Sequence, residues 1–169
     1  FLPKGDIFLL WGDTISTNID RYFDRYFYPI LKELPHDVWK WEGTKKILKV
    51  GRATIDFRSA DRPENWEGFG YHLTFLNEAG IILEDDYLYD NAVLPMLIDF
   101  KDARLIAGGV PKGKVSKTGQ HKFFKLYNEA ISANPDYRHF QLTARDNPFI
   151  SFEELENIAK GLDEMTIAQ

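Results

Sequence analysis

Short unbroken apolar runs alternate along this chain with longer stretches in which apolar residues recur every three or four positions. Ile7–Trp11 and Leu73–Leu76 have the length and uniform apolarity of strands buried on both faces, as parallel strands are. The first closes on Gly12-Asp13-Thr14 and the second on Asn77-Glu78. After the first run, Ile19, Tyr22, Phe23, Tyr26, Phe27, Ile30, Leu31 and Leu34 recur at helical spacing, which predicts an amphipathic helix with its aromatic face in the core. Pro29 inside that pattern predicts a kink or a split, because its ring removes a donor and crowds the previous turn. Thr17 followed three residues later by Asp20 has the form of a capping box.

Lys46–Val50 and Ala53–Ser59, joined by Gly51-Arg52, predict a hairpin. Trp39 and Trp41 alternate in a way that suits cover of a sheet edge. Further along, the pattern predicts a helix over residues 85–98, a strand at Arg104–Ala107 and a helix over Gly119–Ala133 with Phe123, Phe124, Tyr127 and Ile131 inward. A strand near Phe140–Thr143 and a helix from Ser151 to Leu162 complete the series. Strands alternating with helices specify an α/β fold with a mainly parallel central sheet flanked by helices. No internal repeat and no linker rich in Gly, Pro or Ser interrupts it, so the expectation is a single domain over 1–169.

Composition narrows the class. A 44% hydrophobic and 15% aromatic content excludes a disordered chain. No apolar run reaches the length of a membrane span. With no cysteine, disulfides and thiolate metal sites are impossible, which suits a reducing compartment. The net charge of −5 requires any contact with nucleic acid to be local. Phe1 stands where an initiator Met would be, so the expectation is an excised or processed piece.

The chemistry concentrates where strands end. In α/β proteins ligands bind outside the carboxyl ends of the strands, and a carboxylate delivered there can orient water beside a phosphate. Glu78 is so placed; the competing reading is a core strand that exits at a surface acid. The surrounding segments add an order of motifs: Ser59-Ala60-Asp61-Arg62-Pro63-Glu64 with Gly68, the strand ending Asn77-Glu78-Ala79, Leu94-Pro95, Gly109-Val110-Pro111-Lys112-Gly113, and Asp146-Asn147-Pro148. That succession resembles the ATPase domain of the large terminase subunit, the motor that packages DNA in tailed phages. It runs through most of the chain.

The resemblance implies a P-loop NTPase-like core, with ATP and Mg2+ as cofactors. It implies that Glu78 is the catalytic carboxylate and that Asn77 stands where the family carries Asp, holding magnesium weakly and through water. An Asp at that position would supply the missing charge. Gly108 and Gly109 match the segment that senses the terminal phosphate, although Val110 replaces the Thr or Ser found before the Pro. The arginine that often precedes the loop glycine is absent, since Glu67 precedes Gly68. Arg62 is the substitute candidate and Arg58 flanks the same loop; a surface ion pair is the alternative for either.

A phosphate-binding loop needs Gly-Lys-Ser/Thr opening a helix, and no such sequence occurs in the 169 residues. Either the chain begins downstream of that loop, or it is a degenerate, non-hydrolysing relative that serves protein or DNA contacts in phage assembly. On both readings the isolated chain is expected to be inactive. The partners implied are double-stranded DNA, the portal protein, the small terminase subunit and a homo-oligomeric ring, in the cytoplasm of a bacterial host. A nuclease domain following Gln169 is implied as well.

Other clusters divide between two readings. Arg104, Lys112, Lys114, Lys117, Lys122 and Lys125 form a run without an acid, suited to a DNA backbone or to a solvated loop. Glu84-Asp85-Asp86 suits a cation or an acidic helix start. His36, His72, His121 and His139 lack metal-ligand spacing, and His72 reads as structural.

Overall fold

The computed structural model describes residues 5–117 and 119–160. The chain divides between Phe123 and Phe124 into two compact units. The first is built on a six-stranded sheet of order β2-β3-β4-β1-β5-β6, with β1 at Ile7–Asp13, β2 at Trp39–Glu42, β3 at Ile47–Val50, β4 at Ala53–Ser59, β5 at Leu73–Asn77 and β6 at Arg104–Gly108. Strands β4, β1, β5 and β6 run parallel, while β2 and β3 add an antiparallel wing through the expected β3–β4 hairpin. Trp39 and Trp41 lie on the edge strand β2. A mainly parallel sheet with helices is therefore what the chain forms.

Two of the described α-helical stretches carry prolines, and both absorb them in the same way. Helix α1 spans residues 16–31, with a π turn at Phe23–Phe27 two residues ahead of Pro29. Helix α3 spans residues 86–96, with a π turn at Tyr89–Val93 two residues ahead of Pro95. A wide turn takes up the missing donor and the ring clash, so neither helix breaks.

In α1 the wide turn also decides which face is buried. Ile19, Phe23 and Leu31 are buried and Phe27 packs against them, a spacing of four. Twelve α-helical steps of about 100° would carry Leu31 about 120° from Ile19, but one residue absorbed in the π turn reduces that to about 20°. The aromatic face is consequently narrower than the sequence pattern suggested: Tyr26 and Ile30 are exposed. Nor does the Thr17–Asp20 capping box form. The helix starts without a side-chain cap, and Asp20 pairs with Lys46 instead, at the start of the hairpin.

The two faces of β1 and β5 are distinct. Trp11 packs among Phe27, Phe57 and Phe75, edge-on to the first and tilted to the other two. On the other face Leu10, Thr74 and Leu76 are buried, and Trp66 lies over Gly12. Trp66 is itself held by its indole N–H, which donates to the Ser59 carbonyl at 2.9 Å. A short helix α2, Ala79–Ile82, follows β5 directly. At the opposite end of β5, His72 accepts from the Phe8 N–H and stacks on Phe100, a structural role.

A two-stranded ribbon, β7 at Val115–Ser116 and β8 at Gly119–Gln120, takes the place of the first turn expected for the next helix. Helix α4 then runs over Lys122–Ile131, and α5 over Phe152–Ala159. Among residues 124–160 no described side chain is buried, and Tyr127 and Ile131 are exposed rather than inward. The strand expected near Phe140–Thr143 does not form; Phe140 and Leu142 are exposed and pair with no strand among the described residues. Their apolar character alone cannot make a strand without a neighbour to complete the ladder. In its place, Thr143 and Asp146 form a capping box around a short turn, and Ser151 and Glu154 cap α5. Leu162, the expected end of α5, lies outside the described residues. Among the described residues no helix is long and apolar enough to cross a membrane.

Candidate functional site

Because β4, β1, β5 and β6 are parallel, their carboxyl ends share one edge of the sheet. Ser59, Asp13, Asn77 and Gly108 end these strands in that spatial order. The chain passes from β1 to β4 on one side and returns to β5 on the other, so the strand order reverses at β1. Crevices at such a reversal are where α/β sheets bind ligands.

Glu78 follows β5 in a left-handed backbone conformation, φ 60° and ψ 45°, as the residue that caps α2. A non-glycine residue there carries strain of about 1–3 kcal/mol, which is retained at functional turns. The turn is held by its own backbone, since the Glu78 carbonyl accepts from Ile81 N–H at 2.8 Å and Ile82 N–H at 3.1 Å. The side chain is half-buried and has no protein partner among the described residues.

The segment after β6 lies directly on this turn. Asn77 and Gly108 are register partners. Gly109, at φ 150°, approaches so closely that a Cβ on it would stand 2.8 Å from the Ala79 nitrogen and 3.0 Å from Glu78 Cα. One residue further, a Cβ on Gly80 would meet the Val110 carbonyl. His121, fully buried, completes the junction. Its Nδ1 accepts from the Phe123 N–H at 3.1 Å, so its Nε2 carries the proton and donates to the Gly80 carbonyl at 3.1 Å. Glu78, Asn77, Gly108 and Gly109 thus converge at one strand end.

One end of the Asn77 carboxamide is already committed. Its Nδ2 donates to Asp13 Oδ2 at 2.9 Å. Asp13 is a residue that the sequence reading passed over, although it too ends a buried strand on an acid. The same logic that singled out Glu78 would have found it.

No family model matches the chain, and no curated protein matches it significantly. Solved structures do. A point mutant of the Thermus phage P74-26 large terminase ATPase domain superposes with a TM-score of 0.73 at 15% identity, covering 98% of this chain and 76% of that one. The large terminase of the thermophilic bacteriophage D6E gives 0.70 at 13% identity, covering 96% of this chain and 39% of that one. The HK97 bacteriophage large terminase gives 0.63 at 15% identity, covering 97% and 35%. The chain has the fold of a phage large terminase ATPase domain. It spans about two fifths of the length of the D6E protein, which has also been solved with ADP and with ATP-γ-S.

On this terminase fold, Arg62 sits three residues beyond β4, two strand positions from β5, or about 10 Å across the sheet. It is exposed and its guanidinium has no protein partner among the described residues. Arg58 is committed elsewhere: it contacts Asp56 at 3.1 Å, and the Tyr71 hydroxyl donates to the same carboxylate oxygen at 2.8 Å. Burial first, and then the Asp56 charge, push the Tyr71 phenol far above the usual tyrosine range.

A cleft of about 380 Å3 opens beside the end of β1, lined by Thr14, Ala60, Asp61, Ile82, Glu84, Asp85 and Lys117 among others. It includes neither Asn77, Glu78 nor Gly109, and its three carboxylates oppose a phosphate. Asp85 has a local task there, accepting from the Tyr87 N–H at 2.8 Å as the cap of α3. The basic run is partly offset by acids: Lys117 lies 3.8 Å from Glu84, and Lys122 lies 3.9 Å from Asp86 and 2.9 Å from Asp90.

Among the described residues no group of three or more acidic or histidine side chains is arranged to hold a metal. The strand end nevertheless suits a magnesium ion approached through water, since Asn77 Oδ1 and Glu78 are hard oxygen donors. A direct all-protein cage would need more ligands than these.

Proposed function

We propose that this chain is part of the ATPase motor of a phage large terminase, coupling ATP hydrolysis to the packaging of double-stranded DNA. What carries the reading is the contact between Glu78 and Gly109: a strained carboxylate turn at the end of β5, pressed by a glycine at the end of β6, on a sheet with the terminase ATPase fold. Glu78 acts as the general base, or orients the water that attacks the terminal phosphate, and its half-buried carboxylate has no competing partner. Asn77 Oδ1 contacts magnesium through water, and the Gly108–Gly109 backbone senses the phosphate. Arg62 is the cation left available at this edge for transition-state charge. ATP supplies the phosphoryl group and Mg2+ offsets its charge. The portal protein, the small terminase subunit and further copies of the chain in a ring are the proposed partners, in the cytoplasm of the bacterial host.

Because the 169 residues contain no phosphate-cradling loop, the isolated chain is expected to bind nucleotide poorly. The gene upstream of Phe1 tests this directly. A Gly-Lys-Ser/Thr loop within about 30 residues, the size of one βαβ unit, supports the motor. A longer chain containing that loop should then hydrolyse ATP. If no such loop precedes Phe1, the second reading takes over: a non-hydrolysing assembly module. Val110 favours that module, since it has no hydroxyl to offer a phosphate and its carbonyl is packed on Gly80.

A further inference from the structure

Asp13 has no part in the function just proposed, yet it is the one acid among the described residues that is fully buried. Its Oδ1 accepts from Thr14 N–H at 2.7 Å, Thr14 Oγ1 at 3.2 Å and Asn18 Nδ2 at 3.3 Å. Its Oδ2 accepts from Asn77 Nδ2 at 2.9 Å. A buried charge is tolerated only when its lone pairs are satisfied, and each of the four hydrogen bonds to this carboxylate comes from a donor. The pocket is therefore built for an acceptor-only carboxylate. Three of the bonds fix the turn after β1. The fourth crosses to β5 and fixes a residue beside Glu78.

That fourth bond has a directional consequence. A carboxamide has one donating and one accepting end, and only the donating end can face Asp13. Asn77 Oδ1 is left without a partner among the described residues, on a half-buried residue at the ligand edge of the sheet. We propose that Asp13 is the positioning residue of this strand end: it turns Asn77 so that Oδ1 faces the ligand side, and it supplies from β1 the negative charge that β5 lacks. The sequence expectation that Asp at 77 would be an improvement is thereby reversed. An aspartate there would set two acceptors 2.9 Å apart in a buried site. The inference rests on the magnesium role given to Asn77 above, but the orientation of the carboxamide can be measured without it.

The test uses the 15N-labelled 169-residue chain, with Mn2+ alone as a paramagnetic probe. In the wild type the Asn77 side-chain protons exchange slowly, and Mn2+ broadens the signals of Asn77 and Glu78. Asp13→Asn speeds exchange of the Asn77 side-chain protons about tenfold, as expected for one lost charge-assisted hydrogen bond, and weakens the Mn2+ effect. The reciprocal double variant, Asp13→Asn with Asn77→Asp, restores donor to acceptor, and should recover the wild-type melting midpoint and the Mn2+ effect. Unchanged exchange and unchanged broadening in Asp13→Asn would overturn the proposal, leaving Asp13 as a local cap for Thr14 and Asn18. If Asp13→Asn does not fold, the double variant decides: recovery of the fold supports the clamp, and failure overturns it. A wild-type chain whose strand end ignores Mn2+ removes the magnesium role of Asn77 and the charge supplied by Asp13, while the exchange rates still decide the clamp.

Discussion

Gly109 packs its Cα face against the backbone of Glu78, so closely that a Cβ would lie 3.0 Å from Glu78 Cα and 2.8 Å from the next nitrogen. Gly109→Ala adds that carbon at a φ that side chains rarely adopt. We expect it to cost about 1–3 kcal/mol of stability, read by chemical denaturation. In a nucleotide-binding form it should also lower turnover more than nucleotide affinity, because it moves Glu78. Lost stability with unaltered turnover would separate the two residues functionally.

Glu78 itself divides stability from activity. Glu78→Gly relieves the left-handed strain and should leave the chain as stable or more stable, by about 1 kcal/mol. Glu78→Gln keeps the shape but removes the base. In a chain that hydrolyses ATP it should abolish most turnover while sparing nucleotide binding. Undiminished turnover with Gln at 78 would make Glu78 a structural acid.

Gly12 admits the edge of the Trp66 ring, where a Cβ would overlap Trp66 Cη2. Gly12→Ala must push the indole off its bond to the Ser59 carbonyl, at a cost of about 1–3 kcal/mol. Thermal denaturation reads the loss, and tryptophan emission should shift to the red as Trp66 meets water.

Tyr71 predicts a loss of stability in alkali. Its folded phenol ionises well above the unfolded value of about 10, so it contributes stability fully below about pH 10 and loses it as pH rises toward the folded value. The melting midpoint should fall above pH 10, and Tyr71→Phe should make that fall shallower. The same variant should cost about 1 kcal/mol at pH 7, since it deletes the bond to Asp56.

Local pattern determined a good deal of this protein. The continuous apolar runs specified β1 and β5 as interior strands, because a strand buried on both faces must be apolar throughout. The Gly51-Arg52 link specified the β3–β4 hairpin. The order of motifs along the chain specified the terminase-like fold, which sequence identity of 13–15% does not reveal by overall similarity.

What remained hidden depended on partners distant in sequence. The buried face of α1 was misread because a π turn changes the phase of a helix, and a hydrophobic period records only the average. Phe140–Thr143 has the pattern of a strand, but a strand is a pairing and nothing among the described residues pairs with it. Asp13 and Asn77 are 64 positions apart, and their bond exists only because β1 and β5 are neighbours. Residue types alone made Asn77 a weakened acid. The tertiary structure made it half of a donor–acceptor pair, because the charge stands on the adjacent strand.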